Sequence, residues 1–90
     1  MTERKTILVI DDSATIRRLV DSQLSPEGYR VVLAPNAEDG LQQAGELKPD
    51  LILLDHQLPG TTGLEVAREI GSRPELAHTP IVVSSTLRNK

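Results

Sequence analysis

Leu51-Ile52-Leu53-Leu54-Asp55 is the stretch on which the fold turns. Four consecutive aliphatic residues leave no polar face, the pattern of a strand covered by helices on both sides of a parallel sheet. The run ends on a carboxylate and leads into the turn His56-Gln57-Leu58-Pro59-Gly60. Asp55 therefore falls at the carboxyl end of a buried strand, where open α/β sheets bind their ligands. A second strand of this kind lies upstream, where Ile7-Leu8-Val9-Ile10 runs into Asp11-Asp12. Two buried strands that both end in acid require a cation nearby.

Outward from these two strands the chain alternates between a strand period and a helix period. Thr6 to Ile10 is the first strand, and Ser13 is a good N-cap for the helix after it. Ile16, Leu19, Val20 and Leu24 recur at helical spacing with Arg17, Arg18 and Asp21 opposite, which predicts a helix from about Ala14 to Leu24 that Pro26 and Gly28 stop. Arg30 to Ala34 is a short β-branched strand. Asn36 then caps a second helix whose apolar face is Ala37, Leu41, Ala44 and Leu47, and Pro49-Asp50 ends it. Beyond Pro59-Gly60, Gly63 opens a third helix in which Leu64, Ala67 and Ile70 face inward with Val66 partly buried, while Glu65, Arg68 and Glu69 face water. Gly71 and Pro74 end that helix. Pro80-Ile81-Val82-Val83-Ser84-Ser85 is the fourth strand, with the polar tail Thr86 to Lys90 after it.

The order βαβαβαβ with right-handed crossovers predicts an α/β protein with a flavodoxin-like, doubly wound parallel sheet of strand order 2-1-3-4. That order sets the first and third strands side by side, about 4.8 Å apart, so Asp11, Asp12 and Asp55 converge on one small volume. Three carboxylates that close repel unless they are protonated or hold a cation. Hard oxygen ligands with room for water suit Mg²⁺ better than zinc. Taken alone, Asp11 and Asp12 would cap the first helix and complement its dipole, and Asp55 would be a turn acid; their convergence is what makes a site. His56 and His78 read as exposed loop residues, because no second ligand stands at metal-site spacing from either.

Composition narrows the function classes. Ninety residues make one small domain. Its 13 Leu, 6 Ile and 7 Val supply an aliphatic core with Tyr29 as the only aromatic. A net charge of −3 with ten scattered Lys and Arg argues against binding a phosphate backbone, so no direct nucleic acid partner is expected. With no cysteine, disulfides, thiolate zinc sites and cysteine nucleophiles are excluded, which fits a reducing compartment. The first apolar run is too short for a secretory leader or a membrane span, so the chain reads as cytoplasmic. No glycine-rich phosphate loop is present.

Three motifs, in order and at strand ends, carry a resemblance that covers essentially all 90 residues. Ile10-Asp11-Asp12-Ser13, Leu54-Asp55-His56-Gln57-Leu58-Pro59-Gly60-Thr61-Thr62-Gly63 and Pro80-Ile81-Val82-Val83-Ser84-Ser85 resemble the receiver domain of two-component response regulators, of the chemotaxis-regulator kind. The resemblance implies that Asp55 is the phosphoacceptor, attacking the phosphohistidine of a sensor histidine kinase or phosphotransfer protein. It implies that Asp11, Asp12, Asp55 and the backbone carbonyl of Gln57 hold Mg²⁺. Ser85, five residues after Pro80, is implied to be the switch hydroxyl that bonds the phosphoryl oxygens, with Ser84 and Thr86 as rivals. On this reading the chain is a phosphoacceptor with self-catalysed transfer and autodephosphorylation rather than a conventional enzyme.

The family pattern continues with a further helix, a fifth strand ending in a lysine that pairs with the phosphoryl group, and a final helix. Lys90 stands only five residues past Ser85, too close to be that lysine. Residues 1–90 are therefore expected to be a single receiver domain lacking the last helix-strand-helix portion, truncated after the fourth strand. An exposed fourth strand in turn predicts self-association, with a homodimer as the simplest form. Two further readings differ in class. One is a non-catalytic module that keeps the fold and acts by dimerisation or docking. The other is a metal-dependent phosphatase with an aspartyl nucleophile, which needs a second acid where Gln57 stands.

Overall fold

The computed structural model describes residues 4–84. The strands are β1 (Thr6–Ile10), β2 (Arg30–Ala34), β3 (Leu51–Asp55), the two-residue β4 (Gln57–Leu58) and β5 (Thr61–Thr62), and β6 (Ile81–Ser84). The helices are α1 (Ala14–Leu24), α2 (Ala37–Leu47) and α3 (Gly63–Gly71). Every long strand pairs in parallel, in the order β2-β1-β3-β6. This is the expected 2-1-3-4, since β6 is the fourth strand of that sheet and the small β4-β5 hairpin takes the intervening numbers.

Alternation along the strands sorts the core into two faces. On one face Leu8, Ile10, Ile52 and Leu54 are buried with Ala44 of α2, Val66 and Ile70 of α3, and Leu58 and Leu76 from the connections. On the other face Ile7 and Val9 pack with Val20 of α1, flanked by Ile16, Leu24, Leu51 and Leu53. Each fully buried Leu or Ile stabilises the fold by about 1.5–3 kcal/mol, so the first face, covered by two helices, dominates. Leu51 and Leu53 are half-buried rather than buried, because among the described residues α1 is the one helix that covers their side. The expected two-sided burial of β3 is thus complete on one face and partial on the other.

Helix bounds follow the caps. Ser13, Asn36 and Thr62 each accept a backbone N–H from the first turn, of Ile16, Asp39 and Glu65 respectively. In α3 the inward face differs from the expected one. Leu64 is 59% exposed and Val66 is buried. With Thr62 as cap, the buried positions are Gly63, Val66 and Ile70, and Leu64 lies about 100° around the helix from Gly63. Leu19 is likewise exposed on α1, where Val20 takes the inward position. Pro26 and Pro74 do more than end helices: each opens a 3-10 turn, Ser25–Glu27 and Pro74–Leu76. No helix among the described residues is long and apolar enough to cross a membrane.

Candidate functional site

The two acidic strand ends meet as the strand order requires. Asp11 extends β1 by one residue: its N–H donates to the Ala34 carbonyl at 3.0 Å. Its Oδ1 accepts the Ser13 N–H at 2.9 Å, which aligns the carboxylate with the start of α1. Arg17, which the helical pattern sets on the outward face, is half-buried and donates from Nη1 to the Asp11 carbonyl at 2.7 Å. The signal that points to it is direction, since helical side chains lean toward the N-terminus and Arg17 sits one turn into the helix after the acid pair.

Asp55 closes β3 in register with Ser84. The backbone behind it is clamped on two sides. The His56 N–H donates to the Ser84 carbonyl at 3.1 Å, and the Gly63 N–H donates to the His56 carbonyl at 2.8 Å. Gly63 is a steric requirement, because a Cβ there would collide with the Asp55 carbonyl oxygen and would lie 3.0 Å from the His56 Cα. The start of α3 therefore packs directly on the residue pair that carries the carboxylate.

Asp11 and Asp55 are both 3% exposed, whereas Asp12 is open to solvent. One carboxylate oxygen from each lies within 4.8 Å of the others, and these three residues are the one His/Cys/Asp/Glu cluster of metal-holding geometry among the described residues. Oxygen ligands of Mg²⁺, at about 2.1 Å from the ion, stand about 3 to 4 Å from one another. The cluster meets that spacing with a contraction of under about 2 Å across the set. An all-oxygen donor set with one exposed member, leaving a side open to water, fits a hard cation that keeps several waters. A narrow cleft of about 20 Å³, bounded by Asp11, Asp55 and Ser84 with Val20 and Leu53 behind them, has room for about one water beside the carboxylates.

Of the residues singled out from the sequence, Asp11, Asp12 and Asp55 come together. Gln57, itself exposed, stands two residues beyond Asp55 at the start of β4, its backbone held by pairing with Thr62. Ser85 lies outside the described residues; Ser84 before it is the register partner of Asp55. His56 is exposed as expected, at 44% of its side chain, but its Nδ1 stands 3.3 Å from Asp55 Oδ1. Spacing along the chain carries no sign of that contact, because adjacent strand residues ordinarily point to opposite faces.

Comparison with known proteins agrees with this geometry. The family described as "Response regulator receiver domain" matches residues 7–90. The phosphate regulon transcriptional regulatory protein PhoB of Pseudomonas aeruginosa is 40% identical over 79 residues, covering 88% of this chain and 34% of that protein. The polar-differentiation response regulator DivK of Brucella anthropi is 31% identical over 86 residues, covering 96% of this chain and 70% of that protein. Among solved structures, the chemotaxis response regulator CheY4 of Vibrio cholerae superposes with a TM-score of 0.87 at 27% identity, over 97% of this chain and 76% of that one. The chain spans about a third of the length of the transcriptional regulators it matches. A family match over nearly the whole chain, the parallel order β2-β1-β3-β6 and an acidic cluster at the ends of β1 and β3 have one reading in common: this chain belongs to the response regulator receiver domains of two-component signalling.

Proposed function

We propose that this receiver accepts a phosphoryl group on Asp55 from the phosphohistidine of a sensor histidine kinase or phosphotransfer protein, with Mg²⁺ held by Asp11, Asp12, Asp55 and the Gln57 carbonyl. The observation that carries the reading is the near-complete burial of the Asp55 carboxylate within reach of two further carboxylates. An Asp55 oxygen attacks phosphorus, the P–O bond forms as the P–N bond breaks, and the donor imidazole leaves with the electron pair. The product is an acyl phosphate, a carboxylate being a competent nucleophile for covalent catalysis. Release is the reverse in kind: water attacks phosphorus, the P–O bond to Asp55 breaks, and inorganic phosphate departs.

Such transfer depends mainly on positioning and charge. Mg²⁺ bound here would offset the negative charge of the acid cluster and of the incoming phosphoryl oxygens. Asp55 is positioned by the clamp of Ser84 and Gly63 on the adjoining backbone, and Asp11 by Ser13 and Arg17. We assign the switch hydroxyl to Ser85, the residue after the register partner of Asp55. On this reading the chain works in the cytoplasm alongside its kinase.

Intact mass measured after incubation with Mg²⁺ and a small-molecule phosphodonor tests the proposal. The expected result is one added phosphoryl group, absent without Mg²⁺ and absent in Asp55→Asn, whose side chain is nearly isosteric. A folded chain that never gains the group would instead be a docking module. A phosphoryl group that persists in Asp55→Asn would place the acceptor elsewhere.

A further inference from the structure

Away from the acidic pocket, a groove of about 250 Å³ lies between α2 and α3, lined by Ala37, Leu41, Thr61, Glu65, Val66 and Glu69. The two helices pack side by side over the same face of the sheet. The floor of the groove is apolar: Val66 is 3% exposed within the core, and Ala37 and Leu41 are partly buried against that core. Its rim is acidic. Glu65 and Glu69 are exposed and one turn apart on α3, about 6 Å along the helix axis. Glu65 accepts the Thr61 hydroxyl at 2.8 Å and makes no ion pair among the described residues. Glu69 meets Arg73 Nη2 at 3.4 Å, with the two side chains 53% and 33% exposed, a pairing that solvent screens. Two acids at i and i+4 destabilise a helix, and an acid in the last turn, where Glu69 stands, opposes the helix dipole. The needs of α3 as a helix therefore do not explain this rim.

We propose that the groove between α2 and α3 is a docking surface for a basic amphipathic helix of a partner protein. One aliphatic side chain of that helix sits on Leu41 and Val66, and two Lys or Arg residues one turn apart meet Glu65 and Glu69. Size argues for a side chain over a small molecule, since the groove falls below the about 300–1,000 Å³ of small-ligand pockets. Shape argues for a helix, because side chains of a third helix fit the furrow between two packed ones and anchor at i and i+4. Charge argues for a basic occupant, as two carboxylates on the rim complement cations and repel acids. A second copy of this chain, with a net charge of −3, suits that rim less well. None of the six lining residues belongs to the phosphoacceptor or metal set, so the inference stands apart from the phosphoryl chemistry.

The probe is a synthetic, end-blocked, Ala-rich helical peptide of about 15 residues, with two Arg four residues apart and one Leu three residues after the first Arg. Titrated into the ¹⁵N-labelled 90-residue chain, it should give saturable amide shifts in α2, α3 and Thr61. Glu65→Lys, a charge reversal at an exposed position, should weaken binding about tenfold. Glu27→Lys makes the same change in charge in the 3-10 turn after α1, the helix on the other face of the sheet, and should leave the affinity within about twofold. A matched peptide with Leu→Asn should bind about tenfold more weakly, because the apolar floor then goes uncovered. Equal binding of that peptide would reduce the contact to charge alone and overturn the proposal. Shifts centred on Asp11, Asp12 and Asp55, or an equal loss in Glu27→Lys, would overturn it too, as would the absence of saturable binding. Groove amides that shift with protein concentration in the absence of peptide would put a second copy in the groove and overturn the partner helix.

Discussion

At the scale of single residues, the acidic cluster sets the clearest expectation. Asp12 is the solvent-facing member of a set whose other two are buried, so its removal should weaken Mg²⁺ binding without opening the core. Asp21, on α1 and bonded to the Ser25 hydroxyl, is a fair control. In calorimetric titrations Asp12→Ala should weaken Mg²⁺ binding at least about tenfold, and Asp21→Ala should leave it unchanged; equal effects would remove the metal site. Glycines give a second test. A Cβ at Gly63 would meet the Asp55 carbonyl and come within 3.1 Å of the Val83 Cγ1, whereas one at Gly45, inside α2, would meet only the Arg73 guanidinium at 3.8 Å. Gly63→Ala should cost about 1–3 kcal/mol through overpacking against backbone, and Gly45→Ala should add about 0.5–1 kcal/mol through helix propensity. Chemical denaturation of the two variants separates them by sign. The three carboxylates are legible in the sequence because a hydrophobic run locates its own end. The contact of Arg17 shows only through the lean of helical side chains toward the N-terminus, and that of His56 leaves no sign in the spacing at all.

At the scale of elements, caps and periodicity carry the reading. The helix expected over about Ala14 to Leu24 is α1, and Ser13, Asn36 and Thr62 cap their helices through side-chain oxygens. The difference on α3 comes from its cap: with Thr62 in that role and Gly63 as the first inward residue, Val66 must come next on that face and Leu64 must face solvent. The β4-β5 hairpin is invisible to periodicity, since two-residue strands leave no period to detect. Its one strong clue is Leu58, buried at 3% within an otherwise polar turn. Leu76, buried at 1% in a 3-10 turn, escapes for the same reason. Thr62 joins the hairpin to the helix that rests on the Asp55 backbone. Thr62→Ala should therefore cost about 1 kcal/mol and also slow phosphoryl uptake from a small donor. Loss of stability with unaltered uptake would show that the cap matters to the helix and not to the site.

At the scale of the whole molecule, the sheet of the described residues has two edge strands, β2 and β6, and β6 is the one beside Asp55. Among the described residues β6 pairs with β3 alone, and Val82 and Val83 are 49% and 44% exposed. They stand in register with Leu53 and Leu54, so one lies on each face of the sheet. A strand apolar on both faces and paired along one edge presents a row of free backbone positions flanked by hydrophobic side chains, the arrangement that templates pairing between chains. Within the described length, nothing in β6 works against this: Ile81-Val82-Val83-Ser84 has no charge and no proline. Two copies that pair β6 with β6 about a two-fold axis would extend the sheet and cover both edges at once, and a closed pair is the commonest outcome of a self-complementary surface. The 90-residue polypeptide should accordingly self-associate as its concentration rises. Val82→Lys, placed at an edge strand where a charge opposes pairing, should shift it toward monomer while leaving the acidic pocket able to bind metal. Light scattering over a concentration series decides the matter. A wild-type chain that stays monodisperse and monomeric, with a melting temperature independent of concentration, would mean that this edge is protected without a second copy.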